Sequence, residues 1–392
     1  MRAWRRVLGV VAAGVIAGSW LACEGSLGPG GEGRRPLDPD LVAEGRQIFR
    51  FDTFGDEAYW TDTLRMNEAV QRVAPTTALA VGLKVDADVL PPGLLASADL
   101  TDPATTAALL KLNAVVGVQA QVDEEGRITR LGITCALCHS TVDNSVTAGV
   151  GRRVDGWPNR DLNVGAIVAL SPTIDEATRV VLRSWGPGRY DAYLNHDGVS
   201  SPVQLPPAYG LRHVALETYT GEGPVSYWNA YVAVTQMHGR GSFSDPRLGI
   251  SIVQSPDLVT SKLPALAEYQ ASLPAPAPPK GSFDVAAAGR GRAVFRTAGR
   301  CATCHIPERE FTDARFRLHA PEETGMDAAR ARRGTTGKYR TTPLRGAWHR
   351  APYFHDGSAE TLEAVVDHYD RTLALRLTTR QKADLVEYLK SL

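Results

Sequence analysis

The sequence predicts a mainly α protein of two related halves, with a β-hairpin inserted in the first. Two repeated blocks and one spacer predict this. "GRQIFR" (45–50) matches "GRAVFR" (291–296), each closing a helical stretch with an Ile-Phe or Val-Phe pair. Pro207-x-x-Gly210 precedes Gly221 and Pro343-x-x-Gly346 precedes Gly357, both at the same glycine-to-glycine interval. Between the halves, "LPAPAPPKG" (273–281) is a Pro-rich spacer that cannot continue a helix.

The N-terminal elements concern export. Arg2, Arg5 and Arg6 precede an uncharged run from Val7 to Ala22, shorter than the ~20 residues of a spanning helix, which reads as a signal sequence. Ala22 before Cys23 resembles a bacterial lipoprotein cleavage site, although Trp20 stands where a small aliphatic residue is usual. Residues 1–23 are thus expected to be removed up to a lipidated Cys23, with 24–39 a flexible tether on the periplasmic side of a Gram-negative membrane. The competing expectation is plain secretion, with an incidental cysteine near the cut.

The first half is expected at 40–273. It contains "VVGVQAQVDEEGRITRLGI" (115–133), which alternates around a Glu-Gly turn and predicts the hairpin. A linker at 274–280 leads to the second half, 281–392. "AYVAVTQMHG" (230–239) and "LEAVVDHYD" (362–370) read as matching amphipathic segments. In the last helix Leu385, Val386, Leu389 and Leu392 share one face. Lys plus Arg equals Asp plus Glu at 43 each, so overall charge gives no case for nucleic-acid binding.

The chemistry is in the cysteines. Five are present: Cys135, Cys138, Cys301, Cys304 and Cys23. Each pair forms Cys-x-x-Cys followed by a histidine, His139 or His305. A redox dithiol has no need of that histidine, and zinc bound by both pairs would leave two histidines unexplained. In c-type haem attachment, two thiols bond to the porphyrin vinyl groups and the next residue ligates iron from below. The sequence therefore predicts two covalently attached haem c groups on cytochrome c-like domains, with zinc or dithiol chemistry as the alternative. Only four residues separate Arg296 from Cys301, whereas 84 separate Arg50 from Cys135, so the first half carries a large insertion.

"TTPLRGAWHRAPYFHDGSAETLEAVVDHYD" (341–370) resembles the C-terminal signature of bacterial di-haem cytochrome c peroxidases and MauG-type enzymes. With "GRCATCH" the likeness covers most of 284–392. Across 40–273 it rests on "EGRQIFRFD", the haem motif and the repeat. The rubber-oxygenase branch of the superfamily is another conceivable relative. The resemblance implies a far-side ligand to the second iron at Tyr369, with His368, His319 and Met326 as lesser alternatives and packing as the competing role. Superposing the repeat places Met237 or His238 at the first iron, and puts Gln236 where the peroxidases carry a catalytic glutamate. Glutamine cannot accept a proton from peroxide. Glu217 and Glu222 lie nearby as substitutes, although surface carboxylates are the expected reading.

The resemblance also points to His355 near the haems, to Trp157 or Trp185 as an electron relay or core residue, and to calcium near Thr341 and Pro343. His196 in "NHDG" reads as a turn residue. The implied function is periplasmic electron transfer with a cytochrome or cupredoxin partner, with peroxidase- or oxidase-type catalysis on peroxide or oxygen. A pure electron carrier with two six-coordinate haems and a haem-based redox sensor are the alternatives.

Overall fold

Aspartates start the two helices that carry the repeated Gly-Arg segments. In the computed structural model, which describes residues 35–392, the main helices are α1 (Pro39–Phe51), α2 (Val225–Tyr231), α3 (Leu263–Ser272), α4 (Val285–Arg296), α5 (Ala328–Arg333), α6 (Leu362–Thr372) and α7 (Thr379–Lys390). The side chain of Asp38 accepts from the N–H of Asp40 and Leu41 and starts α1. Asp284 does the same for α4 through Ala286 and Ala287. Cys23, the expected signal sequence and most of the tether lie outside the described residues. Among those described, no helix is long and apolar enough to cross a membrane.

Each of these helices crosses a second one at a glycine. A Cβ on Gly45 would stand 1.9 Å from the carbonyl oxygen of Ala265 in α3, and one on Gly291 would stand 1.9 Å from that of Asp384 in α7. A tyrosine four residues further on packs at each crossing. Phe49 meets Tyr269 edge-on at 5.4 Å, and Phe295 meets Tyr388 at 5.2 Å. The residue before each tyrosine closes the pair, since the N–H of Asp38 donates to Glu268 at 2.8 Å and that of Asp284 to Glu387 at 2.6 Å. The partner helices share the pattern Glu-Tyr-x-x-Ser-Leu, at 268–273 and 387–392. The sequence reading passed over this pattern.

After α1 the chain makes an excursion and comes back. It passes a π-helical turn (Ala58–Thr63) and forms the hairpin β1 (Val118–Val122) and β2 (Ile128–Ile133), as the alternation predicted. The excursion buries its own core around Trp60, Met66, Leu110 and Leu131. It then returns to its origin, where the Thr134 hydroxyl donates to the carbonyl of Arg50 at 3.1 Å. The N–H of Ile133 points at the fully buried carboxyl of Asp56.

The second half has a smaller core, in which Phe295, Phe311, Leu362, Leu385, Val386 and Leu389 are buried. Each such aliphatic side chain contributes roughly 1.5–3 kcal/mol. Leu392 packs against this core while partly exposed, so the predicted apolar face of the last helix forms. No helix occupies the Pro-rich stretch between α3 and α4. One expectation fails: 230–237 is not amphipathic. After α2 the chain widens into a π-helical turn, Val232–Gln236, and is buried on nearly every side, because it is enclosed by Phe54, Trp60 and Phe243 as well as by its own half's helices. Overall the protein is helix-rich, and every sheet among the described residues has two strands.

Candidate haem sites

Cys135 precedes a single helical turn, Ala136–His139, which places His139 beneath a chamber of about 960 Å³ walled mostly by apolar side chains. The Nδ1 of His139 lies 3.0 Å from the carbonyl oxygen of Pro206. A carbonyl only accepts, so Nδ1 carries the proton and Nε2 keeps its lone pair. Burial lowers the imidazole pKa to about 4, which keeps the ring neutral, as a metal ligand must be. Burial pushes the thiols of Cys135 and Cys138 up to about 12, so they are poor thiolate nucleophiles for dithiol exchange.

Gln236, Met237 and His238 also line this chamber, brought there by the π-helical turn. Met237 is buried, and its carbonyl accepts from the indole of Trp60 at 3.0 Å. His238 stacks on Tyr59 at 3.6 Å, and burial lowers its pKa. The Gln236 amide is committed. Its oxygen accepts from the Tyr190 hydroxyl at 2.8 Å, and its nitrogen donates to Asn195 and Thr235.

Glu217 and Glu222 are not surface carboxylates; both are buried. Glu217 lines the chamber and pairs with Arg340 at 3.2 Å, while burial raises its pKa. Glu222 accepts from the hydroxyl of Tyr193 at 3.1 Å. Each is buried because it has a partner, and Arg340 lies too far along the sequence to be paired with Glu217 by inspection.

The second motif is built with the same bond. Cys301–Thr303 forms a 3₁₀ turn, and Nδ1 of His305 lies 3.0 Å from the carbonyl oxygen of Phe311. Burial again lowers the imidazole pKa. Tyr369, on α6, has its phenol pushed up to about 12 by burial, with Cys304 and Cys301 adding to the rise. The lesser alternatives are engaged elsewhere. His368 Nε2 contacts the Thr324 carbonyl at 2.8 Å, and His319 sits between Asp313 at 3.0 Å and Glu323 at 3.3 Å. Met326 is partly exposed, and its N–H donates to the Pro321 carbonyl at 3.0 Å.

Cys304, Asp313 and His319 are close enough to hold a metal ion, but a thioether at Cys304 would remove that option. Cys135 packs against the core around Phe49 and Tyr231, Cys138 against the excursion's core and Cys301 against that of the second half.

Trp157 stacks on His349 at 4.3 Å and meets Trp348 at 6.2 Å, which joins the halves, while Trp185 is buried and donates to Ser200. His355 is buried 3.4 Å from the Tyr339 hydroxyl, and His196 is exposed just before Gly198. The Thr341 and Pro343 carbonyls accept from Thr312 and Arg350, both at 2.6 Å, so each has one lone pair already engaged.

Comparison with known proteins adds independent evidence. A family model described as RoxA-like, cytochrome c-like matches residues 337–375. The methylamine utilization protein MauG of Methylorubrum extorquens is 34% identical over 121 residues, covering 27% of this chain and 34% of that protein. The cytochrome-c peroxidase IdrP1 of Pseudomonas sp. strain SCT is 37% identical over 67 residues, covering 14% and 18%.

Over these stretches the chain is similar to the MauG/di-haem peroxidase-type cytochrome c family.

The chain spans about a third or less of the length of these curated relatives. Two solved structures also match at 20% identity. The hydrazine synthase of Kuenenia stuttgartiensis has a TM-score of 0.35 over 49% of this chain and 73% of that one. A MauG-like protein associated with microbial copper homeostasis has a TM-score of 0.34 over 50% and 74%. Scores this low support no structural argument. A cytochrome c of this family carries covalently bound haem c, and the residues present fit that group: paired thiols, a neutral histidine with Nε2 free, and an apolar chamber beside them.

Proposed function

We propose that the protein is an exported di-haem c-type cytochrome that transfers electrons in the periplasm, tethered to the membrane by a lipid on Cys23. One haem is held by Cys135, Cys138 and His139, the other by Cys301, Cys304 and His305. The observation that carries this reading is the shared Nδ1–carbonyl bond of the two histidines, at 3.0 Å to Pro206 and 3.0 Å to Phe311. Such a bond fixes the ring and its tautomer so that Nε2 is presented to a metal. The matched glycine crossings of α1 on α3 and α4 on α7 support two haem domains, 40–273 and 281–392, related by an internal repeat.

Bound haem supplies one-electron chemistry at iron, and the surrounding residues decide what else occurs. Gln236 can neither take nor hold a proton, and its amide is already committed to Tyr190, Asn195 and Thr235. This favours electron transfer as the main role. Peroxidase-type activity, suggested by the named relatives, is favoured by one observation: a carboxyl group, Glu217, lines the chamber.

The test is haem content. Two haems per chain should survive denaturation and acid-acetone extraction, and Cys301→Ala with Cys304→Ala should leave one. A chain without haem, or with stoichiometric zinc in its place, overturns the reading.

A further inference from the structure

Two buried donors on the wall of the chamber lack an acceptor. Arg330, on α5 of the second half, lines the chamber and is 4% exposed, and its Nε and Nη1 make no hydrogen bond. It approaches Asp191, but the 3.7 Å from Nη1 to Oδ1 is too long for a hydrogen bond. That carboxylate is already taken by Arg333 at 2.9 and 3.1 Å and by the N–H groups of Tyr193 and Ser201. Trp228 also lines the chamber, and its indole N–H is buried and unpartnered. Both flank Tyr193, with the Arg330 guanidinium 4.7 Å from its ring centre and the Trp228 ring at 6.4 Å. Glu217, also on the chamber wall, is claimed by Arg340.

A buried guanidinium without a hydrogen-bonded anion is costly, and a free charged N–H donor suits a carboxylate oxygen. Haem carries two propionate carboxylates along one edge. We propose that Arg330, assisted by the Trp228 N–H, binds a propionate of the haem attached at Cys135 and Cys138. This rests on the reading that the chamber holds haem. The second half thereby supplies the counter-charge for the haem of the first.

The test uses the full chain with its haems in place. Without the guanidinium the propionate charge is uncompensated and disfavours the reduced state. Arg330→Gln should therefore lower the reduction equilibrium constant of that haem about tenfold, or about 59 mV for one electron. The same change in a Cys301→Ala, Cys304→Ala background assigns the shift to the correct haem. Arg330→Lys should restore part of it, and Trp228→Phe should give a smaller shift in the same direction. Resonance Raman propionate bands should move in step. Unchanged potential and propionate bands in variants that retain haem overturn the proposal. If Arg330→Gln does not fold, the Lys and Phe variants decide by the same criterion. A wild-type chain without haem overturns this proposal and the parent reading together, so the two failures are distinguishable.

Discussion

Asp56 is fully buried, and burial raises its carboxyl to about 9, against a partial offset from the Ile133 N–H. The folded protein therefore holds a proton that the unfolded chain releases near pH ~4. The resulting stability is full below that pH and is lost as pH rises toward 9. Unfolding free energies from urea titrations between pH 5 and 9 should fall with a slope approaching about 1.4 kcal/mol per pH unit. Asp56→Asn should flatten that slope; equal slopes would refute the account. Residues of this kind were the least legible in the sequence. The cysteines and their histidines announce themselves by spacing. Asp56, Glu217 and Arg330 are ordinary charged residues until the fold buries them, because what buries them lies far along the chain.

At the scale of elements, the two crossings depend on glycine. Gly291→Val should cost at least ~1–3 kcal/mol by overpacking, because its Cβ would collide with the Asp384 carbonyl at 1.9 Å. Gly289 provides the control on the same helix. A Cβ there meets nothing within 4 Å, so Gly289→Ala should stabilise by roughly 0.5–1 kcal/mol. Denaturant midpoints of the two variants should move in opposite directions, and a shared direction would show that the crossing does not control the outcome. The Gly-Arg segments and the hairpin were legible because periodicity and turn chemistry are local. The π-helical turn at Val232–Gln236 was not, since its extra residue per turn is imposed by packing around Met237 rather than by composition.

For the whole molecule, buried ion pairs lock the halves together. Asp191, in the first half, is fully enclosed and receives Arg333 of α5. Asp191→Ala should cost ~3–5 kcal/mol, because it leaves a buried guanidinium without its partner. Tryptophan fluorescence and far-ultraviolet circular dichroism should report the same shifted midpoint. Separate transitions for the two probes would show halves that unfold independently. The repeated motifs suggested two halves, but these long-range pairs depend on tertiary placement that no local pattern encodes.

The return of the chain to Arg50 through Thr134 also bears on the order of assembly. In the second half, Cys301 follows α4 after one tight turn, so the helix and its attachment motif come together as neighbours. In the first half the same juxtaposition must close an 84-residue loop, counted from Arg50 to Cys135. By chain statistics that closure costs roughly 2–3 kcal/mol more entropy than the short turn. The excursion's own apolar core offsets this cost, so the first attachment site depends on a prior folding event and the second does not. In a newly made chain, the thiols synthesised last are the first to reach their folded setting.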